Sequence, residues 1–268
     1  MAATFYVALF ALCRELAATF QTSNPTWLKV ARAGQRRASG NRSVLAVRFI
    51  GIVADMAGAL AIQNIASSET AAVDLIVADT AGGLGLASTF DFVLTSPPYC
   101  TRIDYTAATR LQLAVVAPLL RMGKAELSRK MLGSIRVPVH EVRPVAAWGD
   151  TANRFLETVR HHPSKASAGY YYKTHADYFD KMFRSLRSIA KSIKPCGTAV
   201  LVVQDSYYKD VHNDLPASIS EIAAAHGLVL RRRDDFGLSK TLAGSHPHSK
   251  SYRNSFEAVE AVLCFQKT

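Results

Sequence analysis

An α/β fold is predicted for this chain: an open sheet, mostly parallel, whose last strand runs antiparallel. Three observations carry the prediction. From about residue 73 onward, short apolar β-branched runs alternate with segments of helical three-and-four spacing. Asp79, Ser96 and Asp205 each fall at the carboxyl end of such a run, the place where open α/β sheets hold their ligands. The final run follows a loop with no crossover helix before it, so it must return antiparallel to its predecessor.

The elements are expected in the following order. Residues 1–20 form an amphipathic helix, and residues 23–43 form a basic loop containing Trp27, Arg32, Arg36, Arg37 and Arg42. Residues 44–66 make a second, largely apolar helix. Val73–Ala78 reads as a buried strand that ends in Asp79-Thr80, and Phe90–Thr95 as the next strand. Tyr105–Leu120 is helical. The stretch 121–172 is irregular, with short helices near 124–132 and 150–161, and Asp150 is placed to cap the second. Residues 173–194 give the clearest helix, because Ala176, Phe179, Met182, Phe183, Leu186, Ile189, Ala190 and Ile193 share one face and Pro195 and Gly197 end it. Thr198–Val203 is a β-branched strand finishing at Gln204-Asp205. Asp214–His226 is a helix with Pro216 in its first turn and Gly227 beyond its end. Leu228–Arg233 and Phe256–Phe265 are the last two strands.

Composition narrows the function classes. The 268 residues allow one large domain or two small ones, and 49% hydrophobic residues supply a core. No apolar run is expected to reach the roughly 18–20 residues of a membrane span, and Phe5–Phe20, interrupted by Arg14 and Glu15, lacks a signal-peptide pattern. Cys13, Cys100, Cys196 and Cys264 form no CxxC pair, which argues against a zinc site or disulfide framework and suits a cytoplasmic location. The 32 Lys and Arg against 21 Asp and Glu leave a net charge of +11, which favours a polyanionic partner; no membrane partner is expected, because no spanning apolar run is read.

The segment Leu94-Thr95-Ser96-Pro97-Pro98-Tyr99 follows the apolar strand Phe92-Val93-Leu94. Each proline fixes its own φ, removes a backbone donor and holds the preceding residue extended. The carbonyls of Ser96 and Pro97 are therefore free of a helix and able to face a cleft, with the flat ring of Tyr99 beside them. A rigid turn beneath a strand is the purely structural alternative.

Thr95-Ser96-Pro97-Pro98-Tyr99 resembles the catalytic loop of the S-adenosylmethionine-dependent amino-methyltransferases, which modify cytosine N4 or adenine N6 in DNA. The family pattern is Asp, Asn or Ser, then Pro-Pro, then Tyr, Phe or Trp, and the similarity runs from about residue 73 to the C-terminus. The resemblance implies the C-terminal half of the class I methyltransferase fold, a Rossmann-like sheet. It also implies that the Ser96 side chain and the Pro97 carbonyl accept hydrogen bonds from the target amino group. Pro98 stiffens the loop, and Tyr99 stacks on a base rotated out of the duplex. Asp79 corresponds to the acidic residue after the preceding strand and, with Thr95, is a candidate for contact with S-adenosyl-L-methionine; a plain strand-end cap is the alternative for Asp79. Serine at the first loop position favours cytosine N4 over adenine N6.

The cofactor-binding start of that fold is not recognisable. Gly82-Gly83-Leu84-Gly85 is the only glycine cluster near a strand, yet only Leu86–Phe90 separates it from Asp91. That is too short for the roughly ten-residue crossover helix that parallel strands require, and a GxG without its helix says little. The expected architecture is therefore an incomplete Rossmann-like sheet lacking the first cofactor-binding strands. Residues 1–72 become an N-terminal helical segment and candidate partner interface. Residues 73–268 become the catalytic domain, with a DNA-contacting insertion at about 121–172.

The expected function is methyl transfer to a flipped base in DNA, as in restriction-modification systems. The chain would be the catalytic-loop subunit of a split, heterodimeric enzyme whose second polypeptide carries the glycine loop; a fragment of a longer enzyme and an inactive relative that kept the loop are the other readings of the missing motif. A catalytically silent nucleic-acid-binding or scaffold subunit is the alternative from another class; an enzyme acting on RNA or protein amides is the alternative within the class. Asp205 and Tyr207, at the next strand end, are candidate substrate contacts. So are Lys165, Ser167, Tyr170 and Tyr171 in the basic, tyrosine-rich stretch 161–173, read as unstructured. Lys240–Arg253, with His246 and His248, is a second basic loop without metal-ligand spacing. Cys100 is read as pocket wall, because amino methylation needs no covalent intermediate.

Overall fold

The computed structural model describes residues 2–22, 28–29, 32–34, 40–66, 72–100, 104–238 and 258–268. Lys240–Arg253 lies outside the described residues. The chain divides into two compact units, Met1–Ile76 with Tyr105–Leu127, and Val77–Asp104 with Ser128–Thr268.

The first unit is helical. Helix α1 (Ala2–Leu16) packs on α2 (Arg42–Ala66) through Ala8, Leu12 and Ile52, and the Phe5 and Phe49 rings lie 6.3 Å apart. The Arg48 guanidinium grips both oxygens of Glu15, at 2.8 and 2.6 Å. One expectation needs correction: Arg42–Ile62, with mean hydropathy 1.9, is long and apolar enough to cross a membrane. Arg48 and Asp55 interrupt that run. The expected helix 105–120 is broken into α3 (Tyr105–Ala108), α4 (Arg110–Val116) and a single 3₁₀ turn at Ala117–Leu119.

The second unit holds a four-stranded sheet in the order β1 (Phe90–Thr95), β2 (Ile193–Gln204), β6 (Ala258–Lys267), β5 (Leu228–Leu238). β1 and β2 pair in parallel, with Leu94 opposite Val200. β6 returns antiparallel, as expected, and is inserted between β2 and β5, opposed to both. Three strands thus share one direction, although two of the three ladders are antiparallel. β2 starts earlier than expected: α7 (Tyr172–Ser192) stops at Ser192, and Ile193 already pairs with Phe90 before an irregularity that the ladder resumes beyond at Thr198.

Alternation along the strands decides which face is covered. Ala199, Leu201, Val203, Ala261, Leu263 and Phe265 are fully buried and join one core with residues of α6 (Gly149–His161), α7 and α8 (Leu215–Ala224). Their neighbours Val200, Val202, Val262 and Cys264 are half-buried, and at β1 Phe92 and Leu94 keep 54% and 67% of their surface exposed.

Two further expectations fail for identifiable reasons. Val73–Ala78 is neither a strand nor buried; Leu75 is 92% exposed. No strand lies beside it among the described residues, and an extended segment without a ladder leaves its backbone groups to water. Asp150 does not cap α6. The cap comes from α8, where Glu221 accepts from the Thr151 amide at 2.9 Å and from its hydroxyl at 2.5 Å. The cap expected for α8 is present: Asp214 Oδ1 accepts from the Ala217 amide at 3.0 Å. Two short strands that the sequence reading missed, β3 (Ser206–Tyr208) and β4 (Val211–Asn213), form a hairpin just after β2.

Candidate active site

β1 leads directly into Ser96-Pro97-Pro98-Tyr99, which has no regular structure. Two adjacent prolines give this loop no backbone donor of its own over that pair, so side chains and carbonyls must anchor it. The Ser96 hydroxyl donates to the Val202 carbonyl at 3.3 Å. With its proton directed there, the Ser96 oxygen keeps acceptor capacity. The Pro98 carbonyl accepts from the Tyr178 hydroxyl at 2.9 Å. The Pro97 carbonyl accepts no hydrogen bond among the described residues. The Tyr99 hydroxyl donates to Glu260 Oε1 at 2.6 Å.

Helix α7 and the segment before α6 support the loop from beneath. Cys100 is buried with its Sγ 3.2 Å from His175 Nδ1, and Phe155 meets the His175 ring edge-on at 5.1 Å. Cys100 thus belongs to the buried core beneath the loop. Gly133, at φ +74°, passes so close that a Cβ there would lie 3.2 Å from the Tyr99 carbonyl oxygen. The segment before it is held by the buried Lys181 ammonium, which donates to Asp177 at 2.7 Å, to the Arg129 carbonyl at 2.5 Å and to the Met131 carbonyl at 3.2 Å. Burial raises the Asp177 carboxyl above its usual range, and Lys181 opposes that shift without cancelling it.

The other predicted residues fall in varied settings. Asp79 Oδ1 accepts from the Ala81 amide at 3.0 Å and forms a local turn, not a strand end. That turn is pinned to α7 by Thr80 Oγ1, 3.0 Å from Ser185 Oγ, and by Arg184 donating to the Ala81 carbonyl at 3.1 Å. Thr95 ends β1 opposite Leu201. Asp205 is buried, and both its carboxylate oxygens are engaged, by the Val259 amide at 2.9 Å and by His212 Nε2 at 2.8 Å. The Tyr207 ring lies 4.8 Å from that of His212.

The stretch 161–173 is ordered, contrary to expectation. α6 runs to His161, one π-helical turn occupies Ser167–Tyr171, and α7 follows at once. Lys165 is exposed, but Ser167 is buried with its hydroxyl on the Val159 carbonyl. The Tyr170 hydroxyl donates to the Ile135 carbonyl at 2.5 Å, and Tyr171 packs 4.7 Å from Tyr208. Local hydrogen bonding and aromatic packing therefore take up side chains that the sequence pattern offered to a polyanion.

Sequence reasoning missed Tyr178, His175 and Glu260. Glu260 had a signal: it is the one acid within the otherwise apolar run Ala258–Phe265. Tyr178 and His175 had none beyond their place on the α7 face.

No family model matches this chain, and no curated protein does. Among solved structures, it is similar to a Thermus thermophilus protein whose proposed assignment is DNA modification methylase, at 21% identity and a TM-score of 0.26. The alignment covers 34% of this chain and 36% of that one. The chain therefore spans about a third of that protein's length.

Proposed function

We propose that this chain grips an exocyclic amino group of a flipped DNA base, cytosine N4 in preference to adenine N6, for methylation by S-adenosyl-L-methionine. The observation that carries the reading is the loop at the carboxyl end of β1. Ser96 presents an oxygen whose own proton is directed to Val202, and Pro97 presents a carbonyl without a partner among the described residues. Two such acceptors can hold both N–H bonds of an amino group. Held so, its lone pair is drawn out of conjugation with the ring and becomes nucleophilic. Catalysis by this chain is then largely orientation, with reacting atoms brought to about 3–3.5 Å. Tyr99 supplies a stacking face for the base. The net charge of +11 supports a polyanionic substrate.

The described residues do not make a complete site for the methyl donor. Gly83 and Gly85 have positive φ, but no helix follows the Gly82–Gly85 turn to receive a charged ligand at its N-terminus. The reading takes the glycine loop to be supplied from outside these residues, by a second polypeptide. The two sheet edges support this. β5 is guarded by charge, with Arg232 paired to Asp234 and Arg233 to Asp235, each at 2.7 Å. β1, bearing exposed Phe92 and Leu94, pairs on one side only among the described residues. β1 carries one charge pair, Asp91 to Lys194 at 2.8 Å, near its start, and its open side can accept a further strand.

The test is transfer of tritiated methyl from S-adenosylmethionine to DNA, by the chain alone and by the chain co-purified with the product of its adjoining reading frame. Transfer by the pair only, with label recovered in N4-methylcytosine after digestion, is the expected result. Transfer by the chain alone overturns the two-chain reading, and label absent from both overturns the methyl-transfer reading.

A further inference from the structure

We infer that Tyr178 and Glu260 are positioning residues for the Ser96–Tyr99 loop: Tyr178 selects the carbonyl that the loop offers, and Glu260 fixes the plane of the Tyr99 ring. The inference rests on the methyl-transfer reading and goes beyond the loop itself.

Each proline is stiff in φ, and Pro98 also holds the ψ of Pro97 extended, but the ψ of Pro98, which decides where its own carbonyl points, has no proline after it to restrain it. Neither proline has an N–H with which to tie the loop down. The tie comes instead from α7. Tyr178 is 1% exposed, its ring is packed in the core beside Phe179 at 5.6 Å, and its hydroxyl donates to the Pro98 carbonyl. That bond turns the second proline carbonyl towards the helix and leaves the first, Pro97, as the acceptor available to a substrate. Without it, the Pro98 carbonyl is free to rotate, and the geometry offered to an amino group is no longer unique.

Tyr99 is held in the same way at its far end. A tyrosine side chain rotates about two torsions, so one bond at the hydroxyl restricts both. The acceptor, Glu260, sits inside the β2–β6 ladder opposite Gln204, on a rigid element and not on a loop. A phenol donating to a carboxylate makes a charge-assisted bond, and at 2.6 Å this one lies in the short range typical of that class. Five chain segments thus meet at this loop: β1 carries it, β2 accepts from Ser96 through the Val202 carbonyl, α7 sets its carbonyl, β6 sets its ring and Gly133 closes over the Tyr99 carbonyl.

The test uses the methylating pair of chains with Tyr178→Phe, Glu260→Ala, Glu260→Gln and Tyr99→Phe. Tyr178→Phe and Glu260→Ala should lower kcat roughly ten- to hundred-fold with the KM for S-adenosylmethionine within about twofold of wild type. Glu260→Gln keeps an acceptor and should recover most of the lost rate. The double variant Tyr99→Phe/Glu260→Ala should be no slower than the slower single, because both remove the same bond. Unchanged kcat in Tyr178→Phe and Glu260→Ala overturns the inference, as do additive losses in the double variant. If Glu260→Ala does not fold, Tyr99→Phe against Glu260→Gln reads the same coupling. A wild-type pair that transfers no methyl group refutes the methyl-transfer reading and this inference with it, whereas an active wild type with indifferent variants refutes this inference alone.

Discussion

Asp205 and Val259 bind each other reciprocally: the Asp205 amide donates to the Val259 carbonyl, and the Val259 amide donates to Asp205 Oδ1, each at 2.9 Å. The second carboxylate oxygen meets His212 of the β3–β4 hairpin. Asp205 therefore ties the end of β2 to the start of β6 and to the hairpin. Its removal strands a partly buried amide, at a cost of about 1–3 kcal/mol. Asp205→Ala should lower the urea midpoint while the folded fraction keeps wild-type affinity for DNA. Weakened DNA binding with unchanged stability would return Asp205 to the substrate site.

The first turn of α6 depends on another helix for its cap. Glu221 of α8 accepts from both the amide and the hydroxyl of Thr151. Glu221→Ala should cost about 1–2 kcal/mol of unfolding free energy, the range for losing an N-cap. Glu221→Gln, which keeps one acceptor oxygen, should cost less. Equal losses for the two variants in urea titrations would contradict a capping role.

Lys181 and Asp177 form a buried ion pair, each side chain 9% exposed. Removing one partner leaves the other charge in the interior, so Lys181→Met should destabilise by about 3–5 kcal/mol. Lys181→Met/Asp177→Leu removes both charges and should be more stable than Lys181→Met alone. A double variant less stable than the single would contradict the buried-charge cost, since Asp177 would then stabilise the fold without its lysine.

His226 predicts a pH dependence. Burial lowers its pKa below the usual histidine value, and Arg187 and Lys267 push the same way, against the bond from its ring to the Phe183 carbonyl. The folded state then binds fewer protons than the unfolded chain between the unfolded value, about 6.5, and the lower folded one. Stability is full above that window and is lost as pH falls through it. His226→Gln should flatten the decline in the urea midpoint between about pH 7.5 and 5. An equally steep decline in the variant would assign the effect to other groups.

Elements whose signals are local are legible in residue order. The three-and-four spacing of α7, the Asp214 cap of α8, the β-branched core of β2 and the antiparallel return of β6 all belong to this group. So does the loop Ser96–Tyr99, because two prolines after an apolar strand constrain the backbone without outside help. Properties that need a partner distant in the chain waited on the fold. Val73–Ala78 has the composition of a strand and no ladder to join. β6 lies between β2 and β5 because its apolar residues match both neighbours in register. Tyr170, Ser167 and Asp205 look available in sequence but are bound to carbonyls, an amide and a histidine elsewhere in the fold. The loop itself spans both cases. Its stiffness is written in two prolines, but the direction of its carbonyl and ring is set by Tyr178 and Glu260, the latter 161 positions from the tyrosine it holds.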